Sequence, residues 1–284
     1  MKIEIDIEID AQPNDETCGP TCLHALYRHF GVEMPLRKVI SEVRRLDSGG
    51  TLAEILAVHA LRRGLSATIY TYNMQMFDPT WFADDGVIHD PGSVIQRLAQ
   101  QLKAKRAKGD RRLRASTRAY RDFLTEGGEL KLKDLTPALL RGYLADRVPI
   151  IVGLSSTYLY RTSREIERNG VITDDDVRGE PQGHFVMLVG YDSEQREVLI
   201  ADPLDANPPF HTAKYRLDID RLINAILLGT ITYDANLLII RKKAPVSSGR
   251  SKSRTKSAAW RKASSRDRGD RARAPARKGE PKRR

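Results

Sequence analysis

Four groups in this chain have the types and the order of a site that opens acyl bonds through a thiol. Cys18 stands in Gln12-Pro-Asn-Asp-Glu-Thr-Cys18-Gly-Pro-Thr-Cys22, at the head of an amphipathic stretch, with Gln12 six residues before it. His184 enters the apolar run Gly183-His-Phe-Val-Met-Leu-Val-Gly-Tyr191, and Asp202 closes Ile200-Ala-Asp202-Pro203. A thiol attacks as the thiolate, and a helix start favours that form because unpaired N–H groups and the helix dipole both stabilise negative charge. Gly19 allows the backbone to approach a substrate closely. The Cys18 N–H and the Gln12 side-chain amide are the expected donors to a tetrahedral oxyanion. His184 is the expected base and, later, acid. Asp202 orients the imidazole provided that the strand ending at 201 pairs with the one His184 opens.

Each residue also has a plainer reading. A lone free cysteine is usually buried packing, and Asp before Pro is a common turn. A single histidine is more often structural than catalytic. What separates this chain from those readings is the presence of all four groups in order. Cys22, one helical turn on, is assigned to packing, and His24, His29, His59, His89 and His211 to structural roles. A metal site from Cys18, Cys22 and His24 fits no strong zinc spacing, so neither a metal nor another cofactor is expected.

The elements that must position these groups follow from periodicity. Residues 2–10 alternate apolar and acidic types, a strand pattern, and 11–17 form a polar loop. Residues 18–30 read as a helix through Leu23, Leu26, Tyr27 and Phe30, with Pro20 in the first turn and Gly31 as the stop. Further helices are expected over 35–46 and over 52–63, the latter capped by Thr51. A strand is expected over 67–72. Residues 91–108 and 111–124 read as helices of a helical insertion spanning about 74–133. A helix over 135–144 starts at Thr136-Pro137. Strands are expected at 149–154, 184–191, 198–201 and 236–241, with a hairpin turn at 192–195 and a late helix over 218–228. The polar stretch 155–182 is either a lid over the cleft or a solvated excursion. Helices first and an antiparallel sheet second give an α+β fold, a helical N-terminal half packed on a C-terminal antiparallel β-sheet.

Composition sets the outer bounds. With 40% hydrophobic and 30% charged residues the chain reads as soluble and globular. No apolar run approaches the roughly 18 residues of a membrane span. The start lacks a signal-peptide core, and two cysteines give no disulfide framework, so a cytoplasmic location is expected. The net charge of +11 is concentrated at one end: residues 245–284 hold 15 Lys/Arg against 3 Asp/Glu, a net +12, which leaves 1–244 at −1. A second basic block of nine Lys/Arg lies in 102–121. The region from 245 lacks apolar periodicity and is expected to be a disordered basic tail. It implies an anionic partner, nucleic acid or acidic protein, through non-specific contact.

The joint pattern resembles the double-glycine leader peptidases, family thirty-nine of the papain-like cysteine peptidases. Gln12, Cys18-Gly19-Pro20, His184-Phe185-Val186 with Gly190, and Asp202-Pro203 carry the resemblance, over roughly 12–63 and 148–204. It implies a papain-like cysteine peptidase fold with Cys18 as nucleophile, His184 as base and acid, Asp202 as orienting carboxylate and Gln12 as oxyanion donor. The Cys-to-His separation is longer than in the transporter-linked domains, and neither a phosphate loop nor membrane helices follow. The chain therefore looks closer to the stand-alone branch of that family. The expected activity is a cysteine peptidase, or a related thiol hydrolase, cleaving a peptide or isopeptide bond of a peptide or protein substrate through a thioester. Acyl transfer would use the same intermediate. The alternative from another class is a non-catalytic peptide-binding module of the same fold, docked to an anionic partner by its basic tail.

Overall fold

A computed structural model of the chain describes residues 1–46, 49–105, 111–168 and 171–243. The basic tail from 245, with the disorder and the anionic partner expected for it, lies outside the described residues. A short strand β1 (Lys2–Glu4) precedes helices α1 (Cys18–His29), α2 (Leu36–Glu42) and α3 (Ala53–Leu61). Then come β2 (Leu65–Thr71), α4 (Pro91–Ala104), α5 (Arg111–Thr125), β3 (Glu129–Lys131) and α6 (Pro137–Ala145). The chain continues through β4 (Ile150–Ser155), α7 (Ser156–Tyr160), β5 (Glu165–Arg168), β6 (Val171–Asp174), β7 (Gly183–Asp192) and β8 (Glu197–Ala201). It closes with β9 (Lys214–Asp218), α8 (Ile219–Leu228) and β10 (Asn236–Lys242).

Eight strands form one sheet in the order β3-β2-β10-β4-β7-β8-β9, with β1 paired to β7. Every pairing in it is antiparallel except β2 with β3. The fold is α+β. β4 and β7 sit in the middle, and β4 is buried at all of its positions, which is why both read as continuous apolar runs rather than as alternating ones. α3 is buried all round, being packed between the sheet and α5. α5 is amphipathic: Leu113, Tyr120, Phe123 and Leu124 face the core, while Arg111, Arg112, Arg114, Arg118 and Arg121 stay exposed.

Several elements differ from expectation for identifiable reasons. The strand expected over 2–10 stops at Glu4, although Ile5 and Ile7 remain buried. The Ile5 N–H still bonds the Val189 carbonyl, but from Leu188 back that edge of β7 is taken by β4, so the ladder has no further partner. α3 begins after Leu52, and Thr51 does not cap it; the Thr51 hydroxyl donates to the Arg44 carbonyl instead. The segment 74–133 is not wholly helical, since its last residues supply the edge strand β3, pinned parallel to β2. The polar stretch 155–182 holds α7 and the hairpin β5–β6. The strand β9, not among those expected, alternates over only five residues, with Tyr215 and Leu217 as its buried positions. α6 keeps the expected start, with Thr136 Oγ1 accepting from the Leu139 N–H.

Candidate active site

α1 carries Cys18 at its first position, and Gly19 follows where the helix presses against the sheet. A Cβ on Gly19 would lie 2.8 Å from Thr51 Cγ2 and 3.2 Å from Phe185 Cδ2, so a larger residue here would crowd both side chains. One turn on, Cys22 is fully buried and its thiol donates to the Phe185 carbonyl at 3.4 Å. Burial pushes the Cys22 thiol well up, further raised by the neighbouring Cys18 and Asp202, which makes it a packing residue. Among the described residues no group of three or more His, Cys, Asp or Glu stands close enough to hold a metal ion.

His184 lies at the second position of β7, 6% exposed, and Asp202 follows the last residue of β8, fully buried. The β7–β8 pairing brings the two together, and His184 Nε2 stands 2.8 Å from Asp202 Oδ1. The Cys18 side chain lies near enough to the same imidazole to raise its pKa. Since Nε2 is engaged by Asp202, Nδ1 is the ring nitrogen left to face the thiol. Burial alone would lower the His184 pKa; the charges of Asp202 and Cys18 outweigh it and push it up to about 10. Asp202 is held below the usual carboxylate range against its own burial, chiefly by the charge and hydrogen bond of His184.

Two tyrosines that the sequence reading did not single out complete the carboxylate's surroundings. The hydroxyls of Tyr160, at the end of α7, and Tyr215, in β9, each donate to Asp202 Oδ2 at 2.7 Å. The Leu204 N–H donates to Oδ1 at 2.9 Å. With His184, that is two partners on each oxygen, so the buried charge is satisfied. Phe210 stacks flat on Tyr215 with ring centroids 3.8 Å apart, and Asn207, fully buried, donates to the carbonyls of Leu204 and Thr212 to brace the connecting loop. A tyrosine embedded in an otherwise undistinguished segment carries no local signal of such a role; only the fold brings it to Asp202.

Gln12 is placed differently. Its backbone N–H donates to the Pro203 carbonyl at 2.8 Å, which ties the Cys18 loop to the residue after Asp202. Its side-chain Nε2 donates to the Asn14 carbonyl at 3.1 Å. Among the other histidines, His59 Nδ1 is 2.7 Å from the Tyr27 hydroxyl and burial lowers its pKa to about 4, while His24 lies 3.1 Å from Asp10. Both are structural.

With the geometry described, comparison with known proteins adds the following. Residues 115–218 match the model of the Peptidase_C39 like family, a span that holds His184 and Asp202 and leaves Cys18 and Gln12 outside it. The family that the motifs resemble is thus also the one whose model matches this part of the chain. Among solved structures the chain is similar to a double glycine motif protease from an AMS/PCAT transporter in complex with the leader peptide, at 13% identity and a TM-score of 0.40, covering 84% of this chain and 93% of that one. It is similar to a C39-like peptidase from Bacillus anthracis at 13% identity and a TM-score of 0.39, covering 86% and 99%. It is also similar to xylellain, a cysteine protease from Xylella fastidiosa, at 16% identity and a TM-score of 0.37, covering 86% of each chain. No curated protein matches the sequence. Among the described residues no helix is long and apolar enough to cross a membrane.

Proposed function

We propose that the chain is a cysteine peptidase that cleaves a peptide or isopeptide bond through a thioester on Cys18. The observation that carries this reading is the pairing of His184 Nε2 with Asp202 Oδ1 at 2.8 Å, with the Cys18 side chain near enough to the His184 ring to act on its charge. In the first half-reaction His184 takes the thiol proton and the sulfur attacks the substrate carbonyl carbon, forming the C–S bond. The tetrahedral oxyanion collapses, the C–N bond breaks, and His184 gives its proton to the departing amine. In the second half-reaction His184 deprotonates a water, the resulting oxygen attacks the thioester, the C–S bond breaks, and the proton returns to sulfur. Asp202 holds the ring in one orientation and stabilises its charged form throughout.

The oxyanion is assigned to the Cys18 backbone N–H and the Gln12 side chain. Gln12 Nε2 carries two hydrogens, and the bond to the Asn14 carbonyl uses one of them, leaving a second to donate. The loop's backbone bond to Pro203 ties Gln12 to the residue after Asp202. The test is a digest of a peptide library by the full chain and by Cys18→Ala, with new termini read by mass spectrometry. Cleavage by the wild type that disappears in the variant supports the assignment. Equal cleavage by both, or none by either, overturns it.

A further inference from the structure

A second group of buried polar side chains lies across the sheet beside the site. Asp234, just before β10, is 8% exposed, and Glu54, in the first turn of α3, is 1% exposed. The two carboxylates feel each other's charge. One row of cross-strand neighbours links them to the catalytic strand: Thr71 of β2 pairs with Asn236 of β10, Asn236 with Gly153 of β4, and Gly153 with Phe185 of β7. Directly paired residues share a face of the sheet. The Tyr120 hydroxyl, from α5, donates to Thr71 Oγ1, and Ser116 of the same helix donates to Glu54 Oε1 at 3.2 Å. The row therefore looks towards α3 and α5, where Glu54 sits.

Asp234 reaches the catalytic end of that row. A Cβ on Gly183 would collide with Asp234 Oδ2, so the carboxylate rests on the backbone of the residue that precedes His184. Gly183 itself is exposed. The charge of Asp234 is coupled to that of His184 and to that of the exposed Arg112. Independent of the two carboxylates, Asn236, 1% exposed, has its Oδ1 without a hydrogen-bond partner on this same face, and Glu54 Oε2 is unpartnered as well. Buried acceptors with no donor are costly, and a cation supplies what Asn236 Oδ1 and Glu54 Oε2 lack.

We infer that Asp234, backed by Glu54, is a specificity-determining carboxylate that takes the cationic side chain of a Lys or Arg in a peptide bound across Cys18 and His184. This rests on the cysteine-peptidase reading and gives it a substrate class. The cation lies against Gly183, next to the reacting centre, and competes with Arg112 for Asp234. Burial holds both acids up to about 7 in the free protein, Asp234 against the hydrogen bond of Thr232 and the charge of Arg112. An arriving cation ionises them and is bound by the charge it creates.

The test compares labelling of Cys18 by 2-aminoethyl methanethiosulfonate, which is cationic, and by methyl methanethiosulfonate, which is neutral. The inference expects the cationic reagent to be favoured at least tenfold in the full chain, and the ratio to fall at least fivefold in Asp234→Asn, with a smaller fall in Glu54→Gln. A ratio unchanged in Asp234→Asn, with Cys18 still labelled, overturns the cation site alone. Absence of Cys18 labelling by either reagent overturns the peptidase reading itself and the site with it. A second measurement needs no variant: butylguanidinium should slow neutral labelling of the unsubstituted protein, while its neutral isostere butylurea should not. Equal protection by the two, or none by either, contradicts the inference.

Discussion

Tyr160 and Tyr215 meet on one oxygen. Their hydroxyls, from α7 and β9, both donate at 2.7 Å to Asp202 Oδ2, whose partner oxygen faces His184. Orientation of the imidazole thus depends on two residues that act on it through Asp202. A hydrogen bond to a buried charge contributes about 1.5–3 kcal/mol. Tyr160→Phe and Tyr215→Phe should each destabilise the fold by about that amount and raise the pH at which the His184 ring titrates, because the Asp202 charge, with one donor fewer, bears more fully on the ring. Chemical denaturation and histidine ring NMR against pH read the two effects. A loss of stability with an unmoved ring titration would make the tyrosines structural only.

The His184 titration carries its own sign. Its folded pKa, about 10, lies above the ordinary 6.5, so the native state holds the proton more tightly. The stabilisation is complete below about 6.5 and is lost as pH rises towards 10. Asp202→Asn removes the largest raising influence and leaves Cys18 alone against burial, so the ring should then titrate well below about 10. The stability slope between those pH values should shrink with it. NMR titration of wild type and variant checks both.

Glu54 works in a lower window. Burial lifts its carboxyl from 4.5 to about 7, so the folded state binds a proton that the unfolded state has released. Stability should fall as pH rises through that interval. The displacement corresponds to about 3 kcal/mol at most. Glu54→Gln keeps the bond from Ser116 and removes the ionisation. The variant should be level with the wild type near pH 4 and more stable above pH 8, by urea unfolding.

Gln12→Ala should lower the rate of peptide cleavage by about 10²–10³ while KM stays near its original value, the mark of a donor used in the transition state. The backbone bond from Gln12 to Pro203 is untouched by the substitution. A variant whose rate is unchanged would move the oxyanion role elsewhere.

Cys22→Ala should cost about 1 kcal/mol through lost packing and leave thiol reactivity intact. Its sulfur is fully buried against the Phe185 carbonyl and its thiol is held protonated by burial. Mass spectrometry of labelled peptides distinguishes the two cysteines.

The parts of this site that were legible in sequence are those whose local chemistry is unusual. A thiol before Gly-Pro at a helix start, a histidine entering an apolar strand and an Asp-Pro after the next strand each break a local pattern. The central strands were legible because burial on both faces makes them uniformly apolar. Tyr160, Tyr215, Asp234 and Glu54 were not, because each sits in an ordinary local context and owes its surroundings to residues far along the chain: Tyr160 lies 42 positions before Asp202, and Ser116 lies 62 after Glu54. β9 and β3 were missed for the same reason. They are short edge elements whose partners, β8 and β2, fix them more than their own patterns do.

The account turns on whether His184 activates Cys18. The direct measurement is the rate of iodoacetamide alkylation at each cysteine, mapped by mass spectrometry, for wild type and His184→Ala at one near-neutral pH. The account predicts alkylation at Cys18 alone, slowed at least tenfold in the variant. Alkylation at Cys22, or at Cys18 with the same rate in both proteins, would contradict it.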